Sequence, residues 1–311
     1  MTASARVLVP ITITDAMILG GTSIAEPAAG ETAWVSAGTY ALADERIRTT
    51  THRVYECVQA HTGRTALPEV DVAYWKEARP TSRWAPFDDY ANTKAATITS
   101  LTYVLQPGFL NGLDLSGLAG AGYSITIKDA PGGTVIKSAS GDLFEQASGF
   151  YELLFAPLVQ LTQLSFDDVP LAPTAEVTIT ITSAAGQPVA LGTIKVGDWR
   201  QFVGTGSFGG AQYAAASDLN NYSFRKYNPD GTYKTVKRPA SLDVNCAVLI
   251  EAEQAMYADA IRKEIKDVAV PFEAVGLPSY GYLKTVGFVT LSMRADNFGT
   301  TSLNISVKGT I

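Results

Sequence analysis

Apolar and polar residues alternate with a period of two through much of the chain, as they do in half-buried β-strands. The alternation is clearest in the Thr-rich stretch Glu176–Thr182, and short clusters of Gly, Pro, Asp and Asn interrupt it as turns would. Many short strands separated by turns predict a mainly β fold, with a β-sandwich or jelly roll over residues 80–205. The strands predicted there are 96–99, 101–105, 123–128, 134–136, 150–155, 176–182 and 189–196.

The C-terminal part of the chain, residues 213–311, combines strand patterns with one helical pattern. Between 251 and 266, acidic residues at the start and lysines at the end suit the helix dipole. Tyr257, Ile261 and Ile265 recur every four residues and mark the face that packs on a sheet. These features predict an α+β domain with one helix. Its other predicted elements are strands at 246–250, 286–293 and 303–307 and a hairpin turn, Asn-Pro-Asp-Gly, at 228–231.

Residues 1–30 form a segment with one strand pattern, at 6–14, followed by Gly and Pro residues. Two interpretations fit this pattern. The segment is an N-terminal arm that adds a strand to another sheet, including a sheet on a neighbouring subunit, or it contains the ordinary first strand of a domain.

Residues 31–79 form a small unit with regularly spaced aromatic residues. Two alternating stretches, 45–48 and 53–58, are joined by three threonines and predict a hairpin. A unit of this size is close to the lower limit for an independent core, so its aromatic side chains must pack together or against a neighbour. We therefore predict an aromatic-rich β mini-domain.

A polar, proline-containing connector, 79–89, follows the mini-domain and contains two large aromatic residues. Linkers seldom contain such residues, so Trp84 and Phe87 are predicted to pack into the core of the next domain and to fix the junction. Arg83 and Asp88 belong to the same predicted junction.

Composition and charge narrow the possible functions. Hydrophobic residues make up 46% of the 311 residues and charged residues 17%, which excludes wholesale disorder. A net charge of −6 argues against a nucleic-acid-binding protein, and the one dense basic cluster, 234–238, lies in the predicted C-terminal hairpin. No apolar run approaches about 18 residues, so no membrane span is predicted, and the N-terminus shows no secretory signal.

Residues that could support metal binding or histidine chemistry are few. Cys57 and Cys246 lie far apart in the sequence, which excludes a disulfide framework and a four-cysteine zinc site and predicts two buried free thiols. The two histidines, His52 and His61, have no Ser or Cys nucleophile motif beside them. No catalytic residue, metal or cofactor is predicted.

Two further patterns have ordinary structural interpretations. The adjacent pairs Asp88-Asp89 and Asp167-Asp168 do not form a dyad, because neighbouring strand residues point to opposite faces. Solvated turns are expected at both pairs, with a calcium site at the sandwich edge as the alternative. The glycine spacing at 204–209 matches a phosphate-binding loop, but no βαβ unit surrounds it, so an interdomain loop is predicted.

The mini-domain contains the candidate binding residues. Exposed aromatic rings stack on the apolar faces of sugars, and Trp34, Tyr55, Tyr74 and Trp75 are the candidates for contact with a glycan. The alternative is that these rings form the core of the mini-domain.

Residues 34–75 resemble the small chitin-binding modules of chitinases. The resemblance rests on Trp34, Tyr40, the stretch 52–62 with its Ala-His-Thr, and the closing pair Tyr74 and Trp75. In that family the sugar-stacking aromatics are surface rings, so the resemblance implies that role for Tyr74 and Trp75. No catalytic domain accompanies the module here.

A second resemblance covers nearly the whole chain. The pair Tyr74 and Trp75 and the segment 79–88, Arg-Pro-Thr-Ser-Arg-Trp-Ala-Pro-Phe-Asp, resemble the Gly-Pro-Thr-Asn-Arg-Trp-x-x-Phe-Asp segment of a family of tailed-bacteriophage virion proteins. The stretches 129–133 and 196–198 fit the pattern of that family too. Those proteins also pair a chitin-binding-like module with β-rich domains. This chain departs from the pattern at Arg79 and Ser82. The resemblance implies a tail, baseplate or fibre component.

The expected function is therefore that of a non-enzymatic, homo-oligomeric structural protein in the phage tail. Its expected partners are other tail proteins and a host surface polysaccharide, and its expected location is the virion. A purely architectural sheath, collar or adaptor protein is the first alternative. A polysaccharide depolymerase is the second, and it requires two carboxylates about 5–10 Å apart in a cleft.

Overall fold

The computed structural model describes residues 4–90, 92–144, 149–155, 157, 159–202, 210–212, 214–276 and 278–310. Strands dominate this part of the chain, and one helix in it is longer than two turns, so the predicted mainly β fold with one helix is confirmed. None of the helices in these ranges is both long and apolar enough to span a bilayer.

The first strand, β1 (Ala5–Pro10), precedes the mini-domain and a single 3₁₀ turn at Asp15–Met17. The mini-domain contains a three-stranded antiparallel sheet and a separate two-stranded pair, and the hairpin predicted there is confirmed. The sheet is β3-β4-β6 and the pair is β2-β5, with β2 (Thr39–Tyr40), β3 (Glu45–Arg48), β4 (Arg53–Cys57), β5 (His61–Thr62) and β6 (Trp75–Pro80).

The sandwich follows a 3₁₀ turn at Ala85–Phe87. One layer is the antiparallel sheet β11-β10-β13-β8, and the other layer is β12-β9-β15. Leucine and isoleucine side chains of both layers, such as Leu113 and Ile179, share one apolar core. The elements are β7 (Ala95–Ile98), β8 (Ser100–Leu105), β9 (Gly112–Ser116), β10 (Gly122–Lys128), β11 (Val135–Asp142), α1 (Phe150–Phe155), β12 (Gln163–Phe166), β13 (Glu176–Thr182), β14 (Pro188–Leu191) and β15 (Thr193–Phe202).

Two strand predictions in the sandwich are wrong. Residues 150–155 form the short helix α1, with Phe150 and Phe155 exposed. Aromatic residues favour strands through packing against cross-strand neighbours, and none of the described strands pairs with this segment. The single strand predicted at 189–196 is two strands, β14 and β15, because the chain passes from the β7 pair into the large sheet at Gly192.

The C-terminal unit consists of long antiparallel strands with one helix packed against them. The predicted hairpin around 228–231 and the strands at 246–250, 286–293 and 303–307 are confirmed. The elements are β16 (Gly210–Ala211), β17 (Ala216–Asn221), β18 (Phe224–Tyr227), β19 (Tyr233–Val236), β20 (Ala240–Glu251), α2 (Ala255–Glu264), β21 (Ala269–Glu273), β22 (Lys284–Ala295) and β23 (Thr300–Gly309), with 3₁₀ turns at Ala252–Gln254 and Pro278–Leu283.

The buried face of α2 differs from the predicted one by one residue. Ala258, rather than Tyr257, lies with Ile261 and Ile265 in the C-terminal core. Tyr257 is 43% exposed. Spacings of three and four residues both place side chains on one helix face, and the small Ala258 lets the helix approach the sheet.

A single ten-stranded sheet joins the sandwich to the C-terminal unit. Its order is β12-β9-β15-β1-β21-β22-β23-β20-β16, and β17 also pairs with β20. Strand β1 therefore lies between a sandwich strand and a C-terminal strand of its own chain. Gly197 allows the close approach of β1, because a Cβ at this position would lie 2.0 Å from the carbonyl oxygen of Val9.

A chain of five charged side chains, hereafter the charge chain, crosses this sheet at β1. Arg6 of β1 forms ion pairs with Asp167 of the sandwich and with Glu273 of β21, the latter at 2.6 Å. Lys284 of β22 lies 3.3 Å from Glu273 and 3.2 Å from Asp114 of β9. The side chain of Asp114 has no exposed surface, so its charge depends on these partners.

We predict that Lys284→Met destabilises the protein by about 3–5 kcal/mol at neutral pH, because it leaves the buried Asp114 carboxylate without its cation. Burial raises the pKa of Asp114, and Lys284 opposes that rise. A carboxyl group whose pKa is raised by folding adds stability below its unfolded pKa and loses that contribution as the pH rises through the folded pKa.

The cost of the substitution should therefore shrink as the pH is lowered, because Asp114 can then take up a proton. Urea-unfolding midpoints of both proteins at about pH 7.5 and about pH 4.5 measure this difference. Lys308→Met is the control, since Lys308 is exposed and forms no ion pair with any described residue. An equal cost at both pH values would show that Lys284 does not compensate the Asp114 charge.

Candidate functional site: the mini-domain and its joint to the sandwich

The core of the mini-domain is built from its aromatic residues. Tyr40, Tyr55, Cys57 and Trp75 are buried together, and the rings of Tyr40 and Trp75 meet edge to face with centroids 4.9 Å apart. The structure thus places two predicted glycan-binding residues, Tyr55 and Trp75, inside this core, at 4% and 2% exposure. Neither ring has a free face for a sugar.

The other two candidates, Trp34 and Tyr74, are half-buried at the edge of this core. The Arg64 guanidinium lies 3.7 Å from the centre of the Tyr74 ring, and Asp71 holds Arg64 at 2.8 Å. The Arg48 guanidinium lies 5.4 Å from the centre of the Trp34 ring. Both surface rings therefore interact with a cation from their own chain.

A second set of aromatic rings fixes the mini-domain against the sandwich and is called the joint below. The ring of His52, at the hairpin turn between β3 and β4, stacks on Trp84 with centroids 4.2 Å apart. Trp84 meets Phe87 edge to face at 5.6 Å, and Phe87 meets Tyr103 of β8 at 5.7 Å. Tyr103 is fully buried in the sandwich and donates a hydrogen bond of 3.0 Å to the carbonyl oxygen of Arg83.

The N-terminal segment closes the joint from the other side. Glu26 and Asp15 lie 2.9 Å and 3.1 Å from the two ring nitrogens of His52. Glu26 also accepts a 2.7 Å hydrogen bond from the buried Thr81 hydroxyl, and Glu31 accepts one of the same length from the backbone N–H of Ser82. Residues of the segment 1–30 therefore bind both the mini-domain and the connector.

Both aspartates at the end of the connector are engaged with neighbours rather than solvated in a turn. Asp88 accepts hydrogen bonds from the Thr93 hydroxyl and from the backbone N–H of Tyr90, and burial raises its pKa. Lys195 of β15 donates to the Asp88 carbonyl oxygen at 3.1 Å and to the Asp89 carboxylate at 2.9 Å. Asp167 is likewise paired, with Arg6.

A groove of about 570 Å³ lies where the mini-domain, the connector, the sandwich and the C-terminal unit meet. Its lining includes Val9, Ile11, His52, Trp84, Lys195 and Glu264. The charged groups that line it already have partners, since Lys195 binds Asp89 and Glu264 binds Arg200 at 2.7 Å. The arrangement is that of a packed junction rather than a set of free acids and bases.

The two cysteines are free and buried, as predicted. Burial raises the pKa of the Cys246 thiol to about 12, so this thiol is protonated at neutral pH. Within the described ranges, no three His, Cys, Asp or Glu side chains are grouped so that they could hold a metal ion. The glycine-rich stretch 204–209 lies outside those ranges.

Sequence reasoning identified half of the joint. Trp84 and Phe87 lie in it as the connector pattern predicts. His52, Asp15 and Glu26 were not predicted as partners, because 37 and 26 residues separate the two acids from the histidine and no local pattern connects them.

We predict that Trp84→Ala loosens the joint by about 2 kcal/mol, because it removes the ring between His52 and Phe87. Local opening should then expose the connector, and trypsin should cut after Arg83 more than tenfold faster than in the wild type. Tyr90→Ala is the control, since Tyr90 lies in the same segment and is 58% exposed. Equal cleavage of both variants would show that Trp84 does not hold the joint closed.

Comparisons with known proteins identify no relative of this chain. No protein-family model, no curated protein and no solved structure matches the chain. The geometry of the mini-domain and of the joint is therefore the basis for the functional proposal.

Proposed function

We propose that this chain is a non-enzymatic structural protein of a bacteriophage tail, present in several copies and bound to other tail proteins. The observation that supports the proposal is the joint. The segment 79–88, on which the resemblance to virion proteins rests, supplies the rings and hydrogen bonds that fix the mini-domain to the sandwich.

A rigid joint suits a component of a large assembly. Trp84, Phe87 and the buried Tyr103 form a continuous line of rings from the mini-domain into the sandwich core. Strand β1 then joins the sandwich to the C-terminal unit within one sheet. A mini-domain held in this way is presented in a fixed direction, and many copies would present it many times over, which strengthens weak contacts through multivalency.

Within this function, Trp34 is the residue on which a host polysaccharide would stack. Its ring is half-buried at the mini-domain surface, whereas Tyr55 and Trp75 are buried. The Tyr74 ring lies under the Arg64 guanidinium at 3.7 Å and stacks on His61 with centroids 5.1 Å apart, so both groups compete with a sugar for its faces.

A purely architectural role is the second candidate, and the mini-domain surface supports it. Four aliphatic side chains of the mini-domain, those of Val35, Leu42, Val70 and Val72, are 63–78% exposed. Exposed apolar residues mark a surface that contacts other proteins where they adjoin one another in a patch. In this role the mini-domain packs against a neighbouring subunit and binds no sugar.

The proposal predicts that the protein is part of the mature phage particle. Mass spectrometry of density-purified particles should detect it at several copies per particle, and gold-labelled antibodies should bind along the tail. Particles that lack the protein would end the proposal, whatever the isolated chain binds.

The glycan contact is tested separately with two probes, a soluble chitin oligosaccharide and polysaccharide extracted from host cells. Trp34→Ala should weaken binding about five- to tenfold, because ring stacking contributes about 1 kcal/mol. Leu42→Ala is the control, since Leu42 is exposed on the same mini-domain but has no ring. If the wild-type protein binds neither probe, the glycan contact is wrong and the architectural role is favoured.

A further inference from the structure

The hairpin formed by β18 and β19 stands apart from the rest of the C-terminal unit. The two strands pair with each other and with no other described strand. Seven of its eight strand residues are exposed. A two-stranded hairpin is marginally stable alone in water, and both of its outer edges offer unpaired backbone groups.

Local hydrogen bonds nevertheless define the shape of this hairpin. At its tip, Asn228 and Thr232 are joined by a 2.8 Å backbone hydrogen bond, and the Asp230 carboxylate accepts from the N–H and the hydroxyl of Thr232. At its base, the backbone N–H of Arg238 donates to the Ser223 hydroxyl at 2.9 Å. The side chains between these two ends are therefore displayed in a fixed register.

The hairpin is strongly basic, and its basic side chains have no ion-pair partner among the described residues. Residues 222–238 contain five basic side chains and one acidic side chain, and none of the five basic ones forms an ion pair with a described residue. Lys226 and Lys234 lie directly opposite each other, an arrangement that destabilises an isolated pair of strands. The one acid, Asp230, is engaged in the turn.

Aromatic side chains lie between these cations. The Tyr227 and Tyr233 rings are neighbours across the hairpin, with centroids 5.8 Å apart, and both are more than half exposed. The Arg225 guanidinium lies 5.0 Å from the centre of the Tyr233 ring. Tyrosine and arginine are the residues that dominate the binding energy of protein–protein interfaces. The two rings are tilted by 56°, so they do not form the flat platform that a sugar or a base would need.

We propose that the β18–β19 hairpin is an intersubunit arm that binds the acidic surface of a second copy of this chain. The inference rests on the proposed function in one respect, the assumption of several copies in one assembly. Charge complementarity identifies the occupant. The chain has 24 basic and 30 acidic residues, so without the five and the one of this hairpin the remainder has a formal net charge of −10.

The contact is heterologous, because a basic hairpin binds a different, acidic patch on its neighbour. Each copy then both donates a hairpin and accepts one. Contacts of this type build rings when the rotation between copies closes and open filaments when it does not.

Sedimentation velocity of the purified full-length protein tests the inference. Wild-type protein should associate at low ionic strength and dissociate as salt screens the charges. The double variant Lys226→Glu/Lys234→Glu should raise the dissociation constant about tenfold or more. The variant should have about the same free energy of unfolding as the wild type, because two like charges still face each other across the strands.

The matched control is Lys94→Glu/Lys308→Glu, which makes the same change in net charge at two exposed lysines outside the hairpin. A second pair of variants separates aromatic packing from charge. Tyr227→Ala/Tyr233→Ala should weaken association, whereas Tyr280→Ala/Tyr282→Ala, at another exposed tyrosine pair with centroids 6.1 Å apart, should not.

A mixing experiment tests the heterologous contact itself. The charge-reversed variant keeps its acidic acceptor surface, so an equimolar mixture with wild type should form small complexes that end at the variant. Failure of the variant to enter any complex with wild type would contradict the two-patch arrangement.

Wild-type protein that remains monomeric at low salt would overturn the inference, as would association that the hairpin variants leave unchanged. Binding of the hairpin to single-stranded DNA or to an acidic polysaccharide, without self-association, would assign it to another anionic partner and would also overturn it. Detection of the protein in purified particles is a separate measurement, so the failure of this arm and the failure of the tail assignment are distinguishable.

Discussion

The fold depends on a set of largely buried charges centred on the first strand. Arg6 on β1 binds one acid from the sandwich and one from the C-terminal unit, and Lys284 extends this charge chain to the fully buried Asp114. Buried ion pairs contribute little net stability, but breaking one leaves an uncompensated charge. They also fix register, since a slip of one residue along β1 would turn Arg6 to the opposite face of the sheet. Strand β1 therefore holds the ten-stranded sheet together, because Arg6 on this strand pairs with an acid on each side of it.

The small core of the mini-domain is stabilised by aromatic side chains and their cation partners. Tyr40, Tyr55 and Trp75 fill its interior, Arg64 covers the Tyr74 ring, and Arg48 lies 5.4 Å from the centre of the Trp34 ring. Its attachment to the sandwich repeats the same chemistry, with His52 stacked on Trp84 and held by two acids from the N-terminal segment. Aromatic stacking and ion pairs thus stabilise the mini-domain and its attachment, whereas burial of aliphatic side chains stabilises the sandwich.

The charges of the protein are distributed unevenly between the body and the basic hairpin. In the body, Arg6, Lys195 and Lys284 each bind a carboxylate of their own chain. In the hairpin, Lys226 and Lys234 face each other with no described acid beside them. The basic hairpin, the net negative charge of the body and the exposed aliphatic residues of the mini-domain are therefore the features on which assembly would depend.

The sequence alone determined the features that depend on local chemistry. Period-two alternation gave the strands and the mainly β fold, the turn at 228–231 gave the hairpin, and the connector aromatics Trp84 and Phe87 were recognisable as packing residues. Periodicity reports which side chains are buried, but not against what. Only the tertiary structure decided that β1 lies inside the chain's own sheet, that 150–155 is helical, and that Tyr55 and Trp75 are core residues while Tyr74 and Trp34 reach the surface. The reason is physical: pairing of Arg6 with Glu273, 267 residues away, is selected by the energy of the whole fold, and no nearby residue signals it.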